Sequence, residues 1–218
     1  MVVRHAFVTT LSVLGVAALA WLGPVHLIGE AKAQSAIAAL VAKPVTLPDM
    51  ALGSAKAAVT ITEYASMSCP HCAAFALNVF PMIRSKYVDT GTVRYVFREF
   101  PLDLKAIGAS MVARCIANGD AEKFFDTIEK MFKQQDALME QTKEGLRQIG
   151  KEAGMADNGA EMCVKDQALL DKLSADEKFA AEELKVTGTP TFFINGEMVQ
   201  GAISFEEMQA KIDPLLKK

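Results

Sequence analysis

The chain has 218 residues, 51% hydrophobic and 22% charged, with a formal net charge of -3. That is enough apolar residue for one packed domain, or one domain carrying a large insertion, and too much for a disordered chain. The charge leaves no basic footprint for a nucleic acid, and no phosphate-binding glycine loop, dinucleotide fingerprint or internal repeat is visible.

The first 33 residues differ from the rest. Arg4 precedes an apolar run from Ala6 to Leu22, Gly23-Pro24 breaks it, and Ala31-Lys32-Ala33 stands before Gln34. A positive start, an apolar run and a small-x-small site read as a secretory signal peptide over 1–33, cleaved after Ala33. The rival reading is an uncleaved anchor, since apolar residues continue to Ile28 and come close to a bilayer's thickness. On either reading the remainder faces the far side of the membrane, which in a bacterium is the periplasm. Cleavage removes His5 and His26 and leaves His71 as the single histidine.

Residues 34–57 carry Pro44 and Pro48 and read as a lead-in segment with an edge strand. Ala58–Ala65 is rich in β-branched residues and predicts a buried strand. After a turn at Ser66–Ser68 the Cys69-Pro70 pair opens a helix to about Val88. Pro70 suits the first helical position, and Pro81 is expected to kink or break the helix. Asp89–Gly91 reads as a turn and Thr92–Phe97 as a second strand. From about Leu104 to Lys185, apolar residues recur at three- and four-residue spacing in 106–118, 121–133, 142–153 and 174–185, a block of four or more helices. Pro190–Ile194, Asn195-Gly196 and Glu197–Gln200 then form a hairpin, because both turn residues tolerate positive φ. A last helix starts at Ser204, with Glu207 completing a capping box.

The predicted fold is therefore α/β: a thioredoxin arrangement with an inserted all-helical domain. Its parts are a first thioredoxin segment over 34–103, the helical insertion over 104–185 and a second thioredoxin segment over 186–218. The first strand delivers Cys69-Pro70-His71-Cys72 onto a helix start. There Cys69 is expected exposed, as attacking thiol, and Cys72 shielded one turn in. Unpaired N–H groups and the helix dipole favour a thiolate at Cys69, and His71, as an imidazolium or as an N–H donor, would add to them. Stabilising the thiolate stabilises the reduced pair, so the disulfide form becomes the better oxidant. Pro190 is expected to form a cis bond with Thr189 beside the cysteines. Glu63, six residues before Cys69, is a candidate buried acid that takes the Cys72 proton; its plainer reading is a strand-end carboxylate.

A zinc site needs four Cys or His ligands, and the mature chain has too few suitably placed, so neither a metal nor a cofactor is expected. Cys115 and Cys163 are 48 apart within the helical block. A structural disulfide is favoured there, against two buried free thiols or a second redox relay.

Three stretches resemble the DsbA-like thiol:disulfide oxidoreductases of the thioredoxin superfamily. They are Glu63-Tyr-Ala-Ser-Met-Ser-Cys69-Pro-His-Cys72, Arg98-Glu-Phe-Pro-Leu-Asp103 and Thr187-Gly-Thr-Pro-Thr-Phe-Phe193. With the helical block between, the likeness runs from about residue 40 to the C-terminus. The resemblance implies that Cys69 exchanges with substrate, Cys72 resolves, Pro190 lines the substrate groove with Pro70 and Thr189 nearby, and Glu63 is the buried acid. It also implies reduced exported proteins as substrates and a DsbB-type, quinone-linked membrane oxidant. The best-known oxidases of the family have Val where this chain has Thr189, a residue shared with isomerases and reductases. The second cysteine pair resembles an α-proteobacterial subgroup. The 24 residues before the first strand are too few for the dimerisation segment that isomerases carry, so a monomeric oxidase is expected, with an isomerase or reductase as the alternative.

Overall fold

A computed structural model describes residues 35–43 and 46–217. The predicted signal peptide lies outside the described residues. A five-stranded mixed sheet has the order β1-β3-β2-β4-β5, with β1 at Met50–Leu52, β2 at Val59–Ala65, β3 at Val93–Glu99, β4 at Thr191–Ile194 and β5 at Glu197–Gln200. Only β2 and β3 run parallel. They are the central strands, and both are near-continuously buried, as strands covered on two faces must be.

Register sorts the two faces. Ile61, Glu63 and Ala65 of β2 stand beside Tyr95, Phe97 and Glu99 of β3. Across the other edge, Glu63 pairs with Phe192 of β4. This face is covered by α2 (Pro70–Asn78) and, through Phe124 and Phe125, by α5 (Ala121–Lys133). Ring pairs close the seam, Phe75 with Phe192 at 4.6 Å and Phe97 with Phe124 at 5.5 Å between centroids. Tyr64 and Phe193 point to the opposite face, into a smaller cluster with Val41, Ala180 and Leu184.

The chain departs from its sequence pattern in four places. Residues 35–41 form a helix, α1, within the expected lead-in segment, whose edge strand is β1. Its Val41 caps the second face, and Ala38 lies against Gly196 of the hairpin turn, which has φ +89° and no room for a Cβ. The helix opened by Pro70 breaks at Val79 rather than at Pro81. Pro81 becomes the second residue of the short α3 (Phe80–Ile83), where its missing N–H removes no bond. A π-helical turn at Arg84–Val88 follows.

The third departure lies in the helical block, where α4 (Leu104–Ala117), α5 and α7 (Thr142–Glu152) match the apolar spacing. Two helices of six residues, α6 (Gln135–Glu140) and α8 (Gly159–Val164), are too short to show a period. The fourth is α9 (Gln167–Glu182), which starts two turns earlier than its periodicity because Asp166 caps it, accepting from Leu169 N at 3.0 Å. The capping box of α10 (Phe205–Leu216) is present as predicted.

Cys115 and Cys163 are bonded, joining α4 to α8 across a separation of 48 residues. In the loop-entropy account a closed loop of that length contributes about 4 kcal/mol. Replacing both by Ala is expected to lower the free energy of unfolding by about that amount in urea titration. Thiol counting on the denatured, unreduced protein, with the Cys69–Cys72 pair first reduced selectively, should find two thiols and not four.

Candidate active site

The site begins where β2 ends. Ala65 leads into Ser66, whose backbone carbonyl accepts from Cys69 N at 3.1 Å, and whose hydroxyl accepts from Leu102 N at 3.2 Å. The turn is thereby tied to the segment following β3. Gln135 fixes it from the other side: its Nε2 donates to the carbonyls of Met67 (2.9 Å) and Cys69 (3.0 Å). Gln135 is buried on a six-residue helix that no period reveals, and nothing in the sequence marks it as part of the site.

Cys69 is the N-cap of α2, and its Sγ accepts from Cys72 N at 3.4 Å. Thr189 presents its backbone carbonyl to Cys69 Sγ at 3.2 Å, and the Thr189-Pro190 bond is cis, as expected. Cys69 is only 4% exposed, more enclosed than an attacking thiol was expected to be, and Cys72 is fully buried. Pro70 and His71 are exposed and form the lip over the pair.

The local electrostatics separate the two sulfurs. Cys69 is lowered to about 5, chiefly by the hydrogen bond from the Cys72 thiol. The Thr189 side chain nearby and the backbone N–H groups of Cys72 and His71 add to this, while burial opposes it. His71 thus acts on the sulfur through its main chain, whose N–H is one of the orphan donors of a helix start. The Thr189 hydroxyl is enclosed and has no hydrogen-bond partner among the described residues. Cys72 moves strongly the other way, through burial first, then its bond to Cys69 and the charge of Glu63.

Glu63 is on the same sheet face as the cysteines, 3% exposed, so the strand-end reading of it does not apply. Burial pushes its carboxyl up to about 8, against a hydrogen bond donated by the Tyr95 hydroxyl. Tyr95 is a site residue that the sequence reading did not single out. The parallel register could have found it, since it shares Glu63's face one pair along β3.

The thioredoxin family model matches residues 46–214. Alpha-DsbA1 of Wolbachia pipientis is 31% identical, with 78% of this chain and 92% of that one covered and a TM-score of 0.72. This chain belongs to the DsbA-like thiol:disulfide oxidoreductase family. BdbD of Bacillus subtilis, at 20% identity over 81% and 97% of the two chains with a TM-score of 0.68, shares the fold. A putative protein-disulfide oxidoreductase of Rickettsia bellii is 33% identical over 172 residues, 78% of this chain. The chain spans 65% of that relative's length and 61% of the Rickettsia felis one. Within this DsbA-like family the cysteine pair, the cis-proline loop and the buried acid of the present chain come together as one site, while Cys115 and Cys163 lie apart in the helical block.

Proposed function

We propose that this DsbA-like chain is a periplasmic dithiol oxidase that introduces disulfides into newly exported proteins and is itself reoxidised by a DsbB-type, quinone-linked membrane partner. The observation that carries the reading is the opposed pull on the two sulfurs: a thiolate held at the helix start above a thiol held neutral beneath it.

The exchange balances as follows. A substrate thiolate attacks Cys69 Sγ of the oxidised pair; the Cys69–Cys72 bond breaks, and Cys72 leaves with the electron pair and takes up a proton. A second substrate thiolate then attacks the substrate sulfur of the mixed disulfide. The substrate disulfide forms, Cys69 leaves as its stable thiolate, and two electrons remain in the enzyme dithiol. A disulfide of the membrane partner accepts them by the reverse sequence.

The size of the driving force follows from Cys69. An ordinary thiol is about 1% ionised at pH 7 and one of pKa about 5 is about 99% ionised, which stabilises the reduced folded form by about 3 kcal/mol at that pH. That shifts the couple about 60 mV towards oxidant. The sign is that of a depressed acid: the contribution is complete above pH 9 and is lost as pH falls through 5. Equilibration with glutathione buffers is therefore expected to give a potential nearer roughly -120 mV than roughly -270 mV, and a value at the lower figure would make the chain a reductase.

The second reading, an isomerase or reductase, is favoured by one observation: the loop that brings its backbone carbonyl to Cys69 carries at Thr189 an enclosed hydroxyl with no partner among the described residues, where a Val would have none. Sedimentation separates the readings, since the oxidase is expected to be a monomer and the isomerase an oligomer.

A further inference from the structure

The turn that presents Cys69 is held from two sides. On one side the ties are local or come from the segment after β3. Cys69 N donates to the Ser66 carbonyl, and the Ser66 hydroxyl accepts from Ser68 N at 3.3 Å and from Leu102 N. On the other side the helical insertion sends in one side chain, Gln135, the first residue of α6. A primary amide has two N–H donors, and here the acceptors are two successive stretches of one turn, the carbonyls of Met67 and Cys69. Both of those residues are buried, so water is a poor substitute donor. Among the described residues, Gln135 is the one donor to the Met67 carbonyl. The Cys69 carbonyl has a second, Ala73 N at 3.1 Å, in the first turn of α2.

The amide stands on a firm base. A helix of six residues would not persist alone, so α6 depends on its neighbours. Leu138 is buried one turn along, and a Cβ on Gly145 of α7 would lie 2.7 Å from its Cδ1, an approach that only glycine permits. Lys105 Nζ of α4 donates to the Met139 carbonyl at 2.6 Å and ties the far end. Thus α4 and α7 hold α6, and α6 holds the turn.

We infer that Gln135 is a positioning residue for the exchange: its amide is the point at which the helical insertion fixes the backbone of Cys69, and so aims the Cys69 sulfur at the N–H of Cys72. The inference rests on the dithiol-exchange reading above. With its carbonyl pinned, Cys69 keeps its cap geometry, φ -83° and ψ 117°, and its Sγ stays 3.4 Å from Cys72 N. Hydrogen bonds weaken steeply with angle, so a small rotation of the cap residue costs the sulfur this donor and the Cys72 thiol beside it. The amide also turns the positive end of its dipole towards the carbonyl next to the sulfur. Both effects favour the thiolate, and both are lost together. The titratable groups near the sulfur are Cys72 and His71 of α2 and Glu63 of β2, and Gln135 is bonded to none of them. It acts through the main chain alone.

The test sets Gln135→Met beside Leu173→Ala. Met is close to Gln in length and helix propensity but donates nothing. Leu173 is buried in α9, in a cluster with Leu47 and Met111 that contains no part of the site. Each variant is followed by urea unfolding, by the pH dependence of Cys69 alkylation with iodoacetamide, and by equilibration of the cysteine pair with glutathione. Gln135→Met is expected to move the alkylation midpoint up, with the thiolate about fivefold less favoured, the worth of one helix-cap interaction. The glutathione equilibrium should shift towards the enzyme disulfide by a similar factor. Leu173→Ala should unfold at lower urea with midpoint and equilibrium in place.

An unmoved midpoint in a folded Gln135→Met, or an equal movement in Leu173→Ala, overturns the inference. If Gln135→Met does not fold, the wild-type side-chain amide decides. Its two protons should exchange slowly with solvent, and their NMR shifts should follow the Cys69 midpoint; fast exchange, or shifts that ignore the midpoint, overturns the inference. A wild-type Cys69 that is not alkylated at low pH would instead strike the exchange reading beneath it.

Discussion

Cys69→Ser is expected to reduce the oxidation of a reduced model protein to the uncatalysed rate, whereas Cys72→Ser, whose Cys69 thiolate can still attack a disulfide, is expected to accumulate a mixed disulfide when mixed with an oxidised substrate. The first variant removes the sulfur that bonds substrate; the second leaves that sulfur and deletes its resolving partner. Magnitudes show what the depressed pKa of Cys69 does and does not supply. Lowering it from about 9 to about 5 raises the thiolate fraction at pH 7 about a hundredfold, but intrinsic nucleophilicity falls with pKa at a Brønsted slope of roughly 0.4–0.5, a loss of some 40- to 100-fold. The two nearly cancel, so attack by Cys69 is scarcely faster.

The gain lies in departure. A low-pKa sulfur leaves readily, and Cys69 is the leaving group when the second substrate thiol closes its disulfide. The thiolate absorbance of the reduced enzyme should titrate with a midpoint near 5, and Cys72→Ala, which deletes the donor, should raise that midpoint, because the Cys72 thiol is the strongest influence holding it down. A wild-type turnover in Cys69→Ser would remove the cysteine pair from the mechanism altogether.

The parts of this site that could be read in the sequence are those written in consecutive residues. Cys-Pro-His-Cys at a helix start, a proline opening a strand, and an acid six residues upstream each have a local pattern, and the topology brings them together as expected. The depression of Cys69 needs three-dimensional terms that have no pattern. Its main cause is the neighbouring thiol, and the histidine contributes through its main-chain N–H.

Gln135 and Tyr95 were missed for related reasons. The first belongs to a helix of under two turns; the second differs from any other buried strand tyrosine only by the carboxyl opposite it. The enclosure of Cys69 is likewise a product of the Thr189 loop arriving from 120 residues away.

A second large effect is expected far from the sulfurs, in Arg114→Met. Arg114 of α4 forms a two-bond pair with Glu99 at the end of β3, at 2.5 and 2.6 Å, and donates a third bond to the Pro48 carbonyl at 3.0 Å. Both partners are buried. Removing the cation strands a carboxylate in the interior, which typically costs about 3–5 kcal/mol, or about 10 °C in Tm for a chain of this size. Glu99→Leu with Arg114→Met should recover most of that loss, because an apolar pair of similar volume carries no desolvation penalty.

The position adds a functional readout. Glu99 is paired with Ala65, and Phe100 N donates to the Ala65 carbonyl at 2.7 Å, immediately before the turn that carries Cys69. In the single variant the thiolate titration of Cys69 should therefore broaden or move, while in the double variant it should return with stability. Urea unfolding read beside the thiolate absorbance measures both. An Arg114→Met protein of unchanged stability would mean that Glu99 finds another partner, and the pair would no longer account for how α4 is locked to the sheet beneath the site.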